Sequence, residues 1–270
     1  MTLNAIIVGA PRSGTSLASS VFANLGYYCG DSAKEYVRQG DDYNPFGYFE
    51  ADDIIEANVQ LFQRVGYTFH NTWVFERMDD EVAAKIGRLS PAASDRQLIA
   101  AYDQRTPWLM KDPRLCLTLP YWSKLIDWKQ TAVVLVYRDP EDVYWSFRRK
   151  GWAKGDSTAR RIAIEKIEQH FRSAKQAVEQ FGLPHVTVNY ADYKTRPEHV
   201  VQELNNALDL QLTIEDLNFR GELDHSSWYG RLSGYCRILA KRLPRKSMRR
   251  LESLLPRVVL AQVFPERHHR

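Results

Sequence analysis

The segment Asn4-Ala-Ile-Ile-Val-Gly9-Ala-Pro-Arg-Ser-Gly14-Thr-Ser16 constrains the fold more than any other stretch of the chain. An apolar run ends in a turn bounded by two glycines, and a helical pattern begins directly after it. The first turn of a helix presents backbone N–H groups with no intrahelical partner, at the positive end of the helix dipole, so an anion is favoured there. Gly14 allows close backbone approach to such an anion, and Thr15 and Ser16 add hydroxyl donors. The spacing from Gly9 to Gly14 is that of a Walker A loop, but Thr15 stands where that loop carries its lysine. An ordinary NTPase needs that lysine on its terminal phosphates, so its absence weighs against one. Arg12, inside the loop, is the candidate replacement cation. The alternative is a strand-to-helix turn with a coincidental glycine.

A loop of this kind requires an α/β setting, and the remaining pattern supplies it. Strands are expected over 4–8, 108–110, 131–137 and 185–189, and helices over 15–25, 51–65, 80–89, 115–126, 140–149, 158–181 and 197–208. The run Ala132-Val-Val-Leu-Val136 does not alternate, as expected of a parallel strand covered on both faces. Residues 30–47 read as a polar loop bordering the site. At 270 residues, with 44% hydrophobic and 26% charged side chains, the chain is large enough to bury a self-sufficient core. Cys29, Cys116 and Cys236 are three and far apart, which excludes a disulfide framework and a four-thiolate metal site and fits a reducing compartment. No apolar run reaches the ~18 residues of a membrane span. Leu3 to Val8 leads straight into the glycine turn, so no signal peptide is expected.

Two further segments carry chemistry. In Val133-Val-Leu-Val-Tyr-Arg138-Asp-Pro140-Glu-Asp-Val-Tyr-Trp-Ser146, a strand ends in Arg138, and Pro140 suits the first position of the next helix. Ser146 follows six residues into that helix, about 9 Å along its axis. Arg138 and Ser146 together suit one phosphate at the carboxyl edge of the sheet, where open parallel sheets bind ligands. Two rival readings pair Arg138 with Asp139 or Asp142, or make Asp139 a magnesium ligand. Lys111-Asp112-Pro113-Arg114 sets two cations beside a carboxylate at another strand end, either to neutralise a leaving phosphate or as a solvated helix start.

Taken together, Pro11-Arg12-Ser13-Gly14-Thr15-Ser16, Arg138 with Ser146 and Lys-Asp-Pro-Arg between them resemble the sulfotransferase family over roughly residues 4–210. The resemblance implies a P-loop NTPase-like fold, with a central parallel sheet flanked by helices. It implies 3′-phosphoadenosine 5′-phosphosulfate as donor, adenosine 3′,5′-bisphosphate as product, and no metal. It assigns Arg12, Ser13, Gly14, Thr15 and Ser16 to the 5′-phosphosulfate and Arg138 and Ser146 to the 3′-phosphate. Tyr190-Ala-Asp192-Tyr193 is similar to the family's Tyr-Glu-Asp-Leu segment, with Ala191 in place of Glu, and Tyr193 joins the donor-binding set on that basis.

The departures are informative. The cytosolic small-molecule branch carries a catalytic histidine shortly after its middle strand, and Lys111 to Leu119 contains none. That branch's terminal Arg-Lys-Gly motif is also missing, and Arg149-Lys150-Gly151 follows the Ser146 helix and is not its equivalent. The arginine form at Arg12 resembles glycan, protein-tyrosine and bacterial members. Related glycan and tyrosine members place a glutamate after the first helix, so the resemblance points to an acid there as base. Glu50, in Asn44-Pro-Phe-Gly47-Tyr-Phe-Glu50, is the first candidate, because flanking aromatics would desolvate it and make it a stronger base. Glu50, Asp52 and Asp53 also suit a helix start through the dipole alone. Asp31 and Glu35 are the other candidates, and His70 is a distant one. Arg12 and Lys111 are the expected cations for the leaving phosphate. Tyr67, Phe69, Trp73 and Phe75 are either acceptor-stacking residues or core.

The net charge of +4, from 37 basic and 33 acidic residues, averages two unlike parts. Residues 237–270 carry ten Lys/Arg and two acids, Glu252 and Glu266, a surplus of eight positive charges. The rest keeps 27 basic and 31 acidic residues, a deficit of four. A domain over 1–220 with a basic helical extension over 221–270 is therefore expected. In the extension Leu232, Tyr235, Ile238 and Leu239, then Met248, Leu251, Leu254 and Leu255, recur at helical spacing between cations. They read as a helix packed on the body, or as a peripheral contact to an anionic membrane or glycan. Nucleic acid is not expected of an acidic body without a binding motif. The expected protein is cytoplasmic, with any membrane contact peripheral at the inner surface. It is expected to transfer sulfate to a hydroxyl of a carbohydrate, lipid-linked glycan or small metabolite. The alternatives are a P-loop kinase-like phosphotransferase and a catalytically silent nucleotide-binding scaffold.

Overall fold

A computed structural model describes residues 2–31, 47–67, 81–153 and 156–221. Four strands, β1 (Asn4–Val8), β2 (Leu109–Lys111), β3 (Thr131–Tyr137) and β4 (His185–Asn189), form one parallel sheet in the order β2-β1-β3-β4. Ile7 lies opposite Lys111 on one side and Val134 on the other, and Tyr137 lies opposite Asn189. The chain crosses from β2 over β1 to reach β3. The strand order therefore reverses between β1 and β3, and the carboxyl ends of those two strands border the crevice where such sheets bind ligands.

The helices are α1 (Thr15–Asn24), α2 (Asp52–Arg64), α3 (Val82–Arg88), α4 (Ala93–Asp103), α5 (Leu115–Trp122), α6 (Pro140–Lys150), α7 (Ser157–Gln180), α8 (Asp192–Thr195) and α9 (Pro197–Leu208). A 3₁₀ turn follows over Ile214–Leu217. Period-two alternation divides the strand side chains between two cores. Ile6, Val8, Met110, Val133 and Leu135 pack with α2, α3, α4, α5 and α7. Ala5, Ile7, Leu109, Val134, Val136, Val186 and Val188 pack with α1, α9 and the 3₁₀ turn. Each fully buried Val, Ile or Leu contributes about 1.5–3 kcal/mol, which is why β1 and β3 tolerate almost no polar residue along their length. A third cluster sets Ala10 of the loop against Val143, Tyr144 and Phe147 of α6 and Ala163 and Ile167 of α7.

The expected sheet and helices are present, and the α/β class is borne out. The periodicity misses α4. Its buried face is Asp95, Ile99 and Tyr102, so one of the three inward positions is an acid and the apolar stripe is broken. Asp95 is tolerated there because it accepts a hydrogen bond from the Tyr121 hydroxyl. Among the described residues no helix is long and apolar enough to cross a membrane. The basic segment 221–270 lies, apart from Gly221, outside the described residues, as do Glu35, Phe69, His70, Trp73, Phe75 and Cys236. The Cys116 thiol is pushed up to about 12 by burial and that of Cys29 to about 11, so both are poor nucleophiles at neutral pH.

His170, on α7, gives the fold a predictable acid sensitivity. Its Nδ1 lies 2.8 Å from the Lys166 carbonyl, while Nε2 is buried with no hydrogen-bond partner. Burial, assisted by the charge of Lys166, pulls its pKa down to about 4. An unfolded chain takes up a proton at this ring below a pH of about 6.5, whereas the folded chain does so only near pH 4. The ring therefore leaves stability unchanged above that window and lowers it as pH falls through the window, by up to roughly 3 kcal/mol. Urea melts at pH 7 and pH 4.5 should show His170→Gln losing less stability on acidification than the wild type. Equal losses would assign the acid sensitivity to other groups.

Candidate active site

The loop after β1 is shaped by backbone conformation. Arg12 has φ 68° and Gly14 has φ 105°, both left-handed, and the Ser13 N–H donates to the Ala10 carbonyl at 3.0 Å. A non-glycine residue in this region costs roughly 1–2 kcal/mol, which the surrounding packing must supply. A Cβ on Gly9 would lie 2.6 Å from Ser13 Oγ, 2.7 Å from the Val136 carbonyl oxygen and 2.8 Å from Thr15 Cγ2, so no side chain fits there. Asp139 and Asp156 cap α6 and α7 with their carboxylates, whereas Gly14 has no side chain with which to cap α1. Ser13 Oγ is buried without a hydrogen-bond partner. A concave backbone, an uncapped helix start and a buried hydroxyl with an unused donor together suit a bound oxyanion.

Arg138 and Ser146 converge on this loop from β3 and α6. Arg12 Nε donates to Ser146 Oγ at 3.2 Å, and an Arg138 terminal nitrogen donates to the Arg12 carbonyl at 3.3 Å. Arg138 and Ser146 are 7% and 4% exposed, so both polar groups are already withdrawn from bulk water. The Arg138 guanidinium lies 4.0 Å from the Tyr190 ring centroid. Asp139 Oδ1 accepts from the N–H groups of Glu141 and Asp142, 2.9 and 3.2 Å away, which gives this carboxylate a structural role as a helix cap.

Lys111 ends β2 beside the loop. Its Nζ donates to Glu50 Oε1 at 2.5 Å and to the Tyr48 carbonyl at 2.9 Å, and both charged side chains are buried. The segment that meets it is twisted: Gly47 has φ 86° and Phe49 has φ 53°, which turns a carbonyl and a carboxylate toward one ammonium. Arg114 faces inward instead. Its backbone N–H and a terminal guanidinium nitrogen each donate to Asp112 Oδ1 at 2.9 Å, while Asn58 Nδ2 donates to Asp112 Oδ2 at 3.0 Å. Asn58 Oδ1 in turn accepts from Thr118 and Trp122. The Lys-Asp-Pro-Arg charges are thus buried and not a solvated helix start.

Glu50, Lys111, Arg12, Ser13, Gly14, Thr15, Arg138 and Ser146 therefore border one end of the sheet, with Ser16 in the first turn of α1. Two other residues lie elsewhere. Asp31 is exposed and ion-paired with Arg105 at 2.8 Å. Tyr193 is fully buried in the second core, stacked on Phe219, with its pKa raised by burial. The aromatic side chain that meets the loop is Tyr190, three residues earlier, which sequence reasoning left unassigned.

A parallel sheet carrying a glycine loop and two arginines at its switch point defines an α/β protein whose sheet edge suits a phosphate-like anion. The profile of the sulfotransferase family matches residues 5–214, and the chain belongs to that family. Comparison with curated proteins finds none that matches.

Proposed function

We propose that the chain transfers the sulfuryl group of 3′-phosphoadenosine 5′-phosphosulfate to a hydroxyl of a carbohydrate, a lipid-linked glycan or a small metabolite. Sulfuryl transfer in general follows from the family. The finer reading rests on one junction, where Arg12 Nε meets Ser146 Oγ at 3.2 Å and Arg138 meets the Arg12 carbonyl at 3.3 Å. That contact joins the loop suited to a 5′-phosphosulfate to the pair suited to a 3′-phosphate.

In this reading the donor supplies an activated sulfuryl group and a phosphate leaving group. Ser13 Oγ, the amides of Gly14, Thr15 and Ser16, and the Thr15 and Ser16 hydroxyls hold its 5′ end. Arg138 and Ser146 hold the 3′-phosphate. Arg12 and Lys111 carry the positive charge that negative charge on the leaving oxygen requires, and they are fixed in place before reaction. Glu50 takes the proton of the acceptor hydroxyl as the S–O bond forms in line with the bond that breaks. These steps call for no metal. We assign the chemistry to residues 1–220 and treat 221–270 as a separate basic extension.

The test is a thermal shift. Adenosine 3′,5′-bisphosphate at about 100 times its dissociation constant should add about 2.7 kcal/mol, raising the midpoint by about 5–10 °C. Stabilisation by ATP with magnesium alone would favour the kinase-like alternative and overturn this reading. Arg138→Ala should weaken the bisphosphate about 10–100-fold more than adenosine 5′-phosphate, since a hydrogen bond to a charged group is worth about 1.5–3 kcal/mol. Equal weakening would separate Arg138 from the 3′-phosphate.

A further inference from the structure

We propose that Tyr190 is a positioning residue that locks the glycine loop and Arg138 into one unit, and so sets how strongly a 3′-phosphate is recognised. The inference rests on the donor reading above and goes beyond it. Three strand ends meet here: the loop follows β1, Arg138 follows β3 and Tyr190 follows β4. The Tyr190 backbone is fixed, its N–H donating to the Tyr137 carbonyl at 2.8 Å, one residue before Arg138. Its ring then reaches back across the sheet end. A Cβ on Gly14 would lie 2.4 Å from Tyr190 Cδ2, so the ring rests directly on the first turn of α1 and occupies the space a side chain at position 14 would need.

On its other side the ring meets Arg138. A guanidinium 4.0 Å from the centroid is held by the ring's negative face, and partial burial strengthens that attraction because water does not compete for the cation. The same guanidinium donates to the Arg12 carbonyl, so loop, arginine and ring close a circuit of three contacts. The ring is itself braced from behind by Tyr193 and Phe219, with centroids 6.4 and 6.3 Å away. Gly14 is therefore glycine for two reasons: its left-handed backbone and the aromatic ring lying against it. Arg138 reaches the 3′-phosphate position already withdrawn from bulk water and oriented by the ring.

The experiment measures dissociation constants for adenosine 3′,5′-bisphosphate and adenosine 5′-phosphate by calorimetry on the full chain. Wild type, Tyr190→Phe, Tyr190→Leu and Tyr190→Met are compared, each also in an Arg138→Ala background. Tyr190→Phe keeps the ring face and should keep the preference for the bisphosphate. Tyr190→Leu should weaken the bisphosphate about tenfold and the monophosphate no more than about twofold. Tyr190→Met, unbranched and better able to fill an irregular gap than leucine, should lose the same preference, which keeps the test available should the leucine variant fail to fold. With Arg138 already alanine, the Tyr190 substitutions should change the ratio less than about twofold, because the two groups act as one. A loss shared equally by both nucleotides, or a ratio that falls as far without Arg138 as with it, would reduce Tyr190 to a packing residue and overturn the proposal. A wild type that does not prefer the bisphosphate would overturn the donor reading itself, a separate outcome.

Discussion

Glu50→Gln should lower turnover on the order of 10²–10⁴-fold while leaving donor affinity within about twofold, the loss expected when a positioned general base is removed. The substitution preserves shape and an acceptor oxygen, so Lys111 retains its contacts to position 50 and to the Tyr48 carbonyl. What disappears is the negative charge, and with it the capacity to take a proton from the acceptor. Lys111 is itself buried, so neutralising its partner also destabilises the fold, because a buried charge left without its counterion is costly. Turnover must therefore be measured well below the melting temperature and at saturating donor, so that the loss reads as chemistry and not as unfolded protein. Unchanged turnover would exclude Glu50 as the base. Asp31, exposed and engaged with Arg105, would be a poor substitute, and Glu35 would become the carboxylate to test.

Asp112→Ala should cost about 3–5 kcal/mol of folding stability, a large part of the 5–15 kcal/mol available to a domain. The carboxylate has no exposed surface and receives hydrogen bonds from Asn58 and from both the backbone and side chain of Arg114. Its removal leaves a guanidinium that is 3% exposed without that counterion and strips one partner from Asn58, whose amide also anchors Thr118 and Trp122. Asp112→Asn keeps an acceptor for Arg114 and should lose distinctly less. Urea unfolding resolves the two: a fall in midpoint at constant slope measures stability, and a loss below about 1 kcal/mol for the alanine variant would mean that solvent reaches this pair after all.

The parts of the site readable in the sequence were those that lie next to a strand end. The loop, Arg138 and Ser146 each follow an apolar run at a fixed offset, so placing the strand places the residue. The partnership of Glu50 with Lys111 was not readable, because it joins segments 61 residues apart through the twisted backbone of Gly47 and Phe49. Lys111 also extended β2 one residue past its expected end. A lysine does not look like a strand interior until a buried carboxylate is known to meet it. The different surroundings of Tyr190 and Tyr193 are hidden in the sequence for a related reason. Both are tyrosines at the end of β4, and only the start of α8 between them turns one inward to the core and leaves the other against Gly14. In α4, a buried aspartate concealed a helix face that is otherwise spaced normally.

The anion loop is suspended between β1, whose four apolar residues have no exposed surface, and α1, seven of whose ten residues are buried. Such a loop has no hinge of its own. Any opening that released its backbone would pull on both cores at once, so the loop is not built as a locally opening flap. A ligand held there would stabilise the whole native state, and the energy of its recognition would be felt as global stability.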